Sequence, residues 1–304
     1  MAVIEAEGLR KTYGSRIAVG GLDLSVPEGG VFGFLGPNGS GKTTTIRMLL
    51  GLIRPSEGRA QVLGVDTRGP LHTVMPRIGS IVEGPALFPT LSGRRNLALL
   101  GRIQGIGPRA VDAALERVGL AERADDAVRK YSLGMKQRVA LAAVLVKDPA
   151  LLVLDEPANG LDPQGMKELR DLVTSLGAEG RTVFVSSHLL AEVQLMCDRV
   201  AIIQNGRRVT QGTVAEVLAL GRPAGLLVRV DARDRAAGVL QQAGIGATST
   251  AETDQLLVDL PHGAGARVTE TLAAAGIYLR ELAPNEVDLE TVFLELTQRG
   301  PQIP

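Results

Sequence analysis

A glycine-rich segment beginning at residue 36 constrains the fold of this chain more than any other feature. Its sequence, Gly-Pro-Asn-Gly-Ser-Gly-Lys-Thr, follows the apolar run Val31–Leu35 and precedes a helical pattern over 43–52. Glycines let backbone N–H groups turn inward around phosphate oxygens, and the start of a helix adds partial positive charge. The strand–loop–helix order therefore predicts a phosphate-binding loop. The residues expected to bind nucleotide are Gly36, Pro37, Asn38, Gly39, Ser40, Gly41, Lys42, Thr43 and Thr44.

An acidic pair at the end of a second apolar run completes the pattern. The run Leu151–Leu154 is followed directly by Asp155 and Glu156. Ligands of open α/β sheets bind outside the carboxyl ends of the strands, so both carboxylates are expected near the phosphates. We expect Lys42 to contact the β- and γ-phosphates, and Thr43 and Asp155 to hold Mg²⁺. Glu156 would position or deprotonate the attacking water. The two motifs together predict a P-loop NTPase.

Composition argues against several other classes of protein. The 304 residues carry 33 basic and 33 acidic side chains, with no Trp, three Tyr and five Phe. Nucleic-acid binding through phosphates usually requires a basic surplus, and base stacking requires aromatic side chains. We therefore expect no nucleic-acid partner. The longest apolar run, Val139–Val146, is far shorter than the ~18 residues of a membrane span, so we expect a soluble chain with no direct membrane span.

The order of apolar patterns predicts two domains. Over residues 1–222 short β-rich runs alternate with helical patterns, which is typical of a doubly wound, largely parallel sheet, and a helical insertion occupies about 84–148. A turn-rich segment then leads into 223–304, where the order βαββαβ is that of ferredoxin-like domains. We expect this second domain to be regulatory or accessory. Its predicted elements are strands 226–232, 246–250, 255–260 and 277–283, helices 233–243 and 265–275, and a last helix at about 287–298.

Further motifs indicate which kind of NTPase this is. The segment Tyr131–Arg138 reads Tyr-Ser-Leu-Gly-Met-Lys-Gln-Arg, Asn159–Asp162 and Ser186–His188 follow the acidic pair, and Tyr13 stands upstream. In this order the motifs resemble the ABC ATPases, the nucleotide-binding subunits of ATP-binding-cassette transporters, over about residues 3–220. The resemblance implies ATP hydrolysis with ATP and Mg²⁺ as cofactors. A P-loop kinase or a switch GTPase would lack both Tyr131–Arg138 and His188.

The resemblance also implies a shared active site. Ser132, Leu133, Gly134 and Met135 occupy the family's signature segment, which faces the γ-phosphate bound by the partner subunit. This implies a head-to-tail dimer, most simply a homodimer, that encloses two ATP molecules. A plain helix cap at Ser132 is the alternative.

Three further residues receive roles from the same resemblance. His188 would contact the γ-phosphate and hold Glu156 and the water in place. Tyr13 would stack on adenine, although an ordinary strand-end tyrosine is the alternative. Asp162 would connect the two sites across the dimer, and it can also cap the helix that begins at Pro163.

One position departs from the family pattern. Where a glutamine usually follows the strand that enters the helical insertion, this chain has Glu83. Glutamate offers Mg²⁺ a hard oxygen but adds a negative charge and loses a donor. We hypothesise that Glu83 joins the metal site and couples it to the membrane partner. The alternative is a substitution without functional effect, in which the glutamate takes the role of the glutamine. Glu83 and the Leu-Gly-Met signature resemble bacitracin- and lantibiotic-resistance exporters, and the C-terminal part resembles daunorubicin-type exporters.

The resemblance therefore favours the ATPase subunit of an exporter of a drug, antibiotic or lipid-like compound. Such a subunit works with a separate transmembrane permease at the cytoplasmic face of the cell membrane. The alternative is a soluble ABC ATPase that acts on nucleic acid or ribosomes. Five apolar positions could form either the groove for the permease or the core of the helical insertion: Leu87, Phe88, Leu97, Leu100 and Ile103.

Overall fold

A computed structural model describes residues 2–82, 84, 87–221, 225–250, 252–285 and 288–298. Among these, the residues up to Val217, together with Leu296 and those after it, form one compact unit, and Leu218–Glu295 form a second. The predicted domain limits, 1–222 and 223–304, stay a prediction about where independently folding parts begin and end.

The first part of the chain alternates strands with helices. Its strands are β1 Ala2–Tyr13, β2 Arg16–Pro27, β3 Gly30–Leu35, β4 Glu57–Val62, β5 Val65–Asp66, β6 Ile78–Ile81, β7 Leu151–Asp155, β8 Thr182–Ser187, β9 Arg199–Gln204 and β10 Arg207–Thr213. Its helices are α1 Lys42–Leu49, α2 Gly93–Ile103, α3 Pro108–Arg117, α4 Leu133–Leu145, α5 Pro163–Ala178, α6 Leu190–Met196 and α7 Val214–Leu218.

The predicted parallel sheet is confirmed. Six strands lie in the order β10-β9-β3-β8-β7-β6, and every neighbouring pair is parallel except β10 with β9. Every residue of β7 and β8 is buried, as expected for strands covered on both faces. The antiparallel pair is joined by a turn at Asn205 and Gly206, whose φ angles of 51° and 73° fit a type I′ turn.

A second sheet was not foreseen. Strands β2, β1, β4 and β5 form an antiparallel sheet in that order, so the description of this part as largely parallel was incomplete. Along β2 the side chains alternate, with Leu22, Leu24 and Val26 buried in the same core as Ile4 and Leu9 of β1. This alternation is typical of a sheet with one face on the core.

The helical insertion is confirmed in its main features. Between β6 and β7 the described residues form α2, α3 and α4 and no strand. Ser92 caps α2 by accepting a hydrogen bond from the Arg95 N–H, and Pro108 is the first residue of α3. The helix after the phosphate-binding loop, α1, ends at Leu49 rather than at 52, because Gly51 adopts a positive φ of 68°.

The second unit has the predicted ferredoxin-like order. Its elements are β11 Gly225–Val230, α8 Arg233–Gln242, β12 Ala247–Ser249, β13 Gln255–Val258, α9 Gly265–Ala274, β14 Leu279–Asn285 and the start of α10 Leu289–Gln298. The strands form an antiparallel sheet in the order β12-β13-β11-β14. Val228 and Leu256 of the sheet and Leu240 and Leu272 of the helices share one buried core. In the described part of the chain, no helix is long and apolar enough to cross a membrane.

Candidate active site

Three neighbouring strands end side by side at the candidate site. In the parallel sheet β3 lies next to β8, and β8 lies next to β7. Their last residues are in register, with Leu35 opposite Ser187 and Asp155 opposite Ser186. The phosphate-binding loop follows β3, Glu156 follows β7 and His188 follows β8. The topology thus brings the phosphate-binding loop together with two motifs that lie more than 100 residues later in the chain, at the edge where α/β proteins bind ligands.

The phosphate-binding loop is packed tightly against its surroundings. A Cβ atom on Gly36 would come within 2.5 Å of both the Ile203 carbonyl oxygen and Ser40 Oγ, so this position requires glycine. Lys42 begins α1, and its Nζ donates to the Gly36 carbonyl at 2.7 Å. Ser40 Oγ is buried and has no hydrogen-bond partner among the described residues. A buried, unpaired hydroxyl inside such a loop fits a site completed by an external oxygen-rich ligand.

The acidic pair is held by one serine of the neighbouring strand. Ser186 Oγ donates to Asp155 Oδ1 at 2.5 Å and accepts the Glu156 backbone N–H at 3.0 Å. Asp155 is 9% exposed and Glu156 has a φ of +48°, a conformation that few residues other than glycine adopt. The backbone turns at Glu156, so the Glu156 side chain does not continue the alternation of β7. No role could be assigned to Ser186 from the sequence, because its position opposite Asp155 depends on strand register, which the sequence does not reveal.

The Glu156 carboxylate joins the phosphate-binding loop to the end of β8. Its Oε1 lies 3.1 Å from Lys42 Nζ, and its Oε2 lies 2.8 Å from His188 Nδ1. Glu156 is therefore in direct contact with both of the other side chains expected to act on the nucleotide. The contacts with Lys42 and His188 hold the Glu156 carboxylate in a fixed orientation beside the phosphate-binding loop, as a general base requires.

A cavity of about 200 Å³ lies over the loop. It is lined by Asn38, Gly39, Gly41, Lys42, Thr43, Thr44 and Glu156, and also by Arg16, Ala18 and Asn159. Arg16 and Asn159 were not assigned roles from the sequence. Arg16 is the cross-strand partner of Tyr13 in the β1–β2 hairpin. The sequence signal for its position was a basic residue three positions after Tyr13, on the other side of a Gly-Ser turn.

The donors near this cavity fit a small hard cation. Thr43 contributes a hydroxyl, and the hydrogen bond from Ser186 fixes the rotation of the Asp155 carboxylate. Among the described residues no group of three or more His, Cys, Asp and Glu side chains could hold a metal. Mg²⁺ is commonly held by one or two protein oxygens together with phosphate and water oxygens, and Thr43 and Asp155 could supply the protein part. Glu83, the other expected ligand, lies outside the described residues.

Tyr13 is the last residue of β1 rather than part of a loop. Its side chain is half exposed, and Lys11 Nζ lies 5.1 Å from its ring centroid while donating to the Arg54 carbonyl oxygen at 2.7 Å. The lysine therefore holds the ring from one side. The exposed ring can stack on a base, but it does not line the cavity described above.

The signature segment begins α4. Ser132 is exposed and caps this helix by accepting the Met135 N–H at 3.2 Å. Asp162 caps α5 in the same way, accepting the Gly165 N–H at 2.9 Å. The capping roles of both residues are thus present in the structure, and they leave the Ser132 hydroxyl and the free N–H groups of α4 at an exposed helix start, where anions bind.

Comparison with known proteins places these motifs in a family. The family model described as "ABC transporter" matches residues 19–159. The bacitracin transport ATP-binding protein BcrA of Bacillus licheniformis is 47% identical over 67% of this chain and 68% of its own length. The daunorubicin/doxorubicin resistance ATP-binding protein DrrA of Streptomyces peucetius is 39% identical over 97% of this chain and 92% of its own length. The chain belongs to the ABC transporter ATP-binding proteins.

A solved structure agrees with this family. CbiO1 from Clostridium perfringens, described as part of the ABC transporter complex cbiONQ, is 32% identical, with a TM-score of 0.65, over 72% of this chain and 91% of its own. The predicted α/β P-loop fold is therefore confirmed. As an ABC transporter ATP-binding protein, the chain is an ATPase with a nucleotide site.

Proposed function

We propose that this ABC transporter ATP-binding protein hydrolyses ATP at the Lys42–Glu156–His188 cluster and so powers a separate membrane permease. The observation that carries the proposal is the position of the Glu156 carboxylate, in contact with the lysine of the phosphate-binding loop and with His188. A P-loop that only bound nucleotide would have no need of an oriented base.

The proposed reaction is an in-line displacement at the γ-phosphorus. Glu156 accepts a proton from water, the new P–O bond forms, and the bond to the bridging oxygen breaks so that ADP leaves with the electron pair. Lys42 and the N–H groups of the loop bind the phosphate oxygens, and His188 keeps the Glu156 carboxylate in line. Thr43 and Asp155 would hold Mg²⁺, which when bound neutralises phosphate charge. The Glu83 contribution to this site stays a hypothesis.

The site is proposed to be completed by a second copy of the chain. Ser132, Leu133, Gly134 and Met135 would face the γ-phosphate bound by the partner subunit, and Asp162 would connect the two sites. Support comes from the exposure of Ser132 at the start of α4, which leaves its hydroxyl and nearby N–H groups available to an anion. Tyr13 would stack on the adenine from the exposed side of its ring.

The permease is proposed to dock on the helical insertion. A groove of about 400 Å³ lies between β6, α2 and α4, and its lining includes Leu87, Leu100, Val144 and Lys147. A second cavity, of about 500 Å³, also includes Lys147 in its lining. Apolar grooves of this kind receive amphipathic helices. Of the five candidate positions, Leu97 is fully buried and belongs to the core, whereas Phe88 and Ile103 are exposed.

The cargo is proposed to be a drug, an antibiotic or a lipid-like compound that is exported. Relatives named for bacitracin transport and for daunorubicin and doxorubicin resistance support this substrate class. The ATPase would then be held at the cytoplasmic face of the membrane by its permease. The second unit is proposed to regulate or support this assembly.

Reconstitution of the purified chain with its membrane protein tests the proposed function. The purified chain should hydrolyse ATP in the presence of Mg²⁺, and the E156Q variant should not. In proteoliposomes with the membrane protein encoded beside its gene, hydrolysis should rise on addition of peptide antibiotics or anthracyclines. Stimulation by RNA or ribosomes, without any response to the membrane protein, would instead favour the nucleic-acid alternative and overturn the exporter proposal.

A further inference from the structure

Two segments of the chain, Ser132–Met135 and Asn159–Asp162, pack against each other through leucine–glycine contacts. Both are expected to face the partner subunit in the proposed dimer. A Cβ atom on Gly160 would lie 2.8 Å from Leu133 Cδ2, so the leucine of the signature segment packs directly on this glycine. In the other direction, a Cβ atom on Gly134 would lie 3.7 Å from Leu161 Cδ2. Each segment therefore places one leucine against a glycine of the other segment.

The close approach of Leu133 to Gly160 depends on the absence of a side chain at position 160. Gly160 has a φ of +73°, and any side chain there would meet the leucine. Leu133 stands where the signature that this chain resembles has a glycine, so phosphate binding alone does not account for a large apolar side chain. Leu133 is 48% exposed, and burial in the core does not account for it either. Its contact with Gly160 supplies a reason.

The two segments serve different nucleotide sites in the proposed dimer. Ser132, next to Leu133, would face the ATP of the partner subunit. Glu156 acts on the ATP bound by its own chain, and the same loop continues through Asn159, which lines the nucleotide cavity, to Gly160. The contact between Leu133 and Gly160 thus connects a segment of one proposed site to a segment of the other within a single chain.

We propose that Leu133 is a positioning residue that couples the two ATP sites. When the loop from Glu156 to Asp162 moves at one site, Leu133 moves Ser132 at the other. This inference rests on the proposed dimer. A second connection between α4 and α5, the 3.3 Å ion pair of Arg138 with Glu168, contributes less because both side chains are partly exposed. The leucine contact is therefore the connection to test.

The test compares Leu133→Ala with Leu133→Met in the full chain. Alanine keeps helix propensity while removing the contact, and methionine keeps an apolar side chain of similar size. We expect wild type and Leu133→Met to show a Hill coefficient for ATP hydrolysis between 1 and 2, the limit for two sites, and Leu133→Ala to fall toward about 1. Thermal unfolding followed by circular dichroism checks that all three chains are folded.

Two outcomes would overturn the coupling: a wild-type Hill coefficient of 1, or an unchanged coefficient in Leu133→Ala. Failure of the dimer itself is measured separately. E156Q, which keeps Leu133, should form an ATP-dependent dimer by size exclusion. If E156Q stays monomeric, the proposed dimer is wrong. If E156Q dimerises and the Hill coefficient of Leu133→Ala equals that of the wild type, only the coupling is wrong.

Discussion

Lys42 Nζ lies 3.1 Å from Glu156 Oε1, and both side chains are largely shielded from water, at 6% and 18% exposure. The lysine also donates to the Gly36 carbonyl oxygen at 2.7 Å. Breaking a shielded ion pair leaves an uncompensated charge, so the pair holds the loop lysine and the expected base in one arrangement. A triphosphate brings its own negative charge to this point and competes with Glu156 for the lysine.

Glu156→Gln is expected to reduce kcat by about 10²- to 10⁴-fold, because the amide cannot accept a proton from water. ATP affinity should be kept or increased, since the variant removes one negative charge beside the phosphates. Phosphate release and nucleotide titration measure the two effects. Glu116→Gln, an exposed change on α3, serves as the control and should leave both unchanged. Normal turnover in Glu156→Gln would show that Glu156 is not the base.

Ser186→Ala is expected to reduce kcat by about 10- to 100-fold with little change in KM for ATP, because the hydroxyl orients Asp155 and supports the Glu156 backbone. The Mg²⁺ concentration for half-maximal activity should rise. Steady-state kinetics over a Mg²⁺ series measures both effects. Ser175→Ala on α5 is the matched control, since its exposed hydroxyl bonds only within its helix. An unchanged Mg²⁺ dependence in Ser186→Ala would contradict this role.

The nucleotide motifs could be predicted because each is short and carries its own context. Gly36 to Gly41 lie between β3 and α1, and Asp155 and Glu156 stand at the end of an apolar strand; each signal lies within about ten residues. The role of Ser186 could not be predicted in the same way. It depends on β8 lying beside β7 in one particular register, which is a long-range property of the sheet.

The antiparallel sheet of β1, β2, β4 and β5 was missed for a related reason. Its strands are separated by the phosphate-binding loop and α1, and their alternation is interrupted where the register shifts, as between Ala6 and Leu9. Short irregular alternation does not predict which strands pair. Arg16 was missed with this sheet, because only the hairpin pairing brings it opposite Tyr13 and to the nucleotide cavity.

Tyr131→Phe is expected to lower the free energy of unfolding by about 1 kcal/mol. The buried hydroxyl donates to the Arg123 carbonyl oxygen at 2.5 Å, and burial raises the pKa of Tyr131 above its ordinary value. Because the chain has no Trp, urea unfolding is best followed by far-ultraviolet circular dichroism. Tyr278→Phe is the control; its side chain is 78% exposed, and it should change the stability by less than about 0.5 kcal/mol. Equal effects of the two changes would contradict the role of this hydrogen bond.

The start of α10 should be sensitive to acid through Asp288. Its Oδ1 accepts the Thr291 N–H at 2.7 Å, and this hydrogen bond lowers the pKa of Asp288 below its ordinary value of 3.8. The folded-state pKa is depressed, so the carboxylate stabilises the helix above about pH 4, and this stabilisation is lost as the pH falls through the folded-state pKa. Hydrogen exchange of the Val292 amide, which bonds to the Asp288 carbonyl oxygen, reports on this turn.

Asp288→Asn is expected to keep the cap and remove its pH dependence, whereas Asp288→Ala loses about 1 kcal/mol of local stability at every pH. After correction for intrinsic exchange, protection of Val292 should fall as the pH is lowered below about 4 in the wild type, stay level in the asparagine variant and be low throughout in the alanine variant. An asparagine variant that loses protection as steeply as the wild type would show that other carboxylates control the acid response of α10.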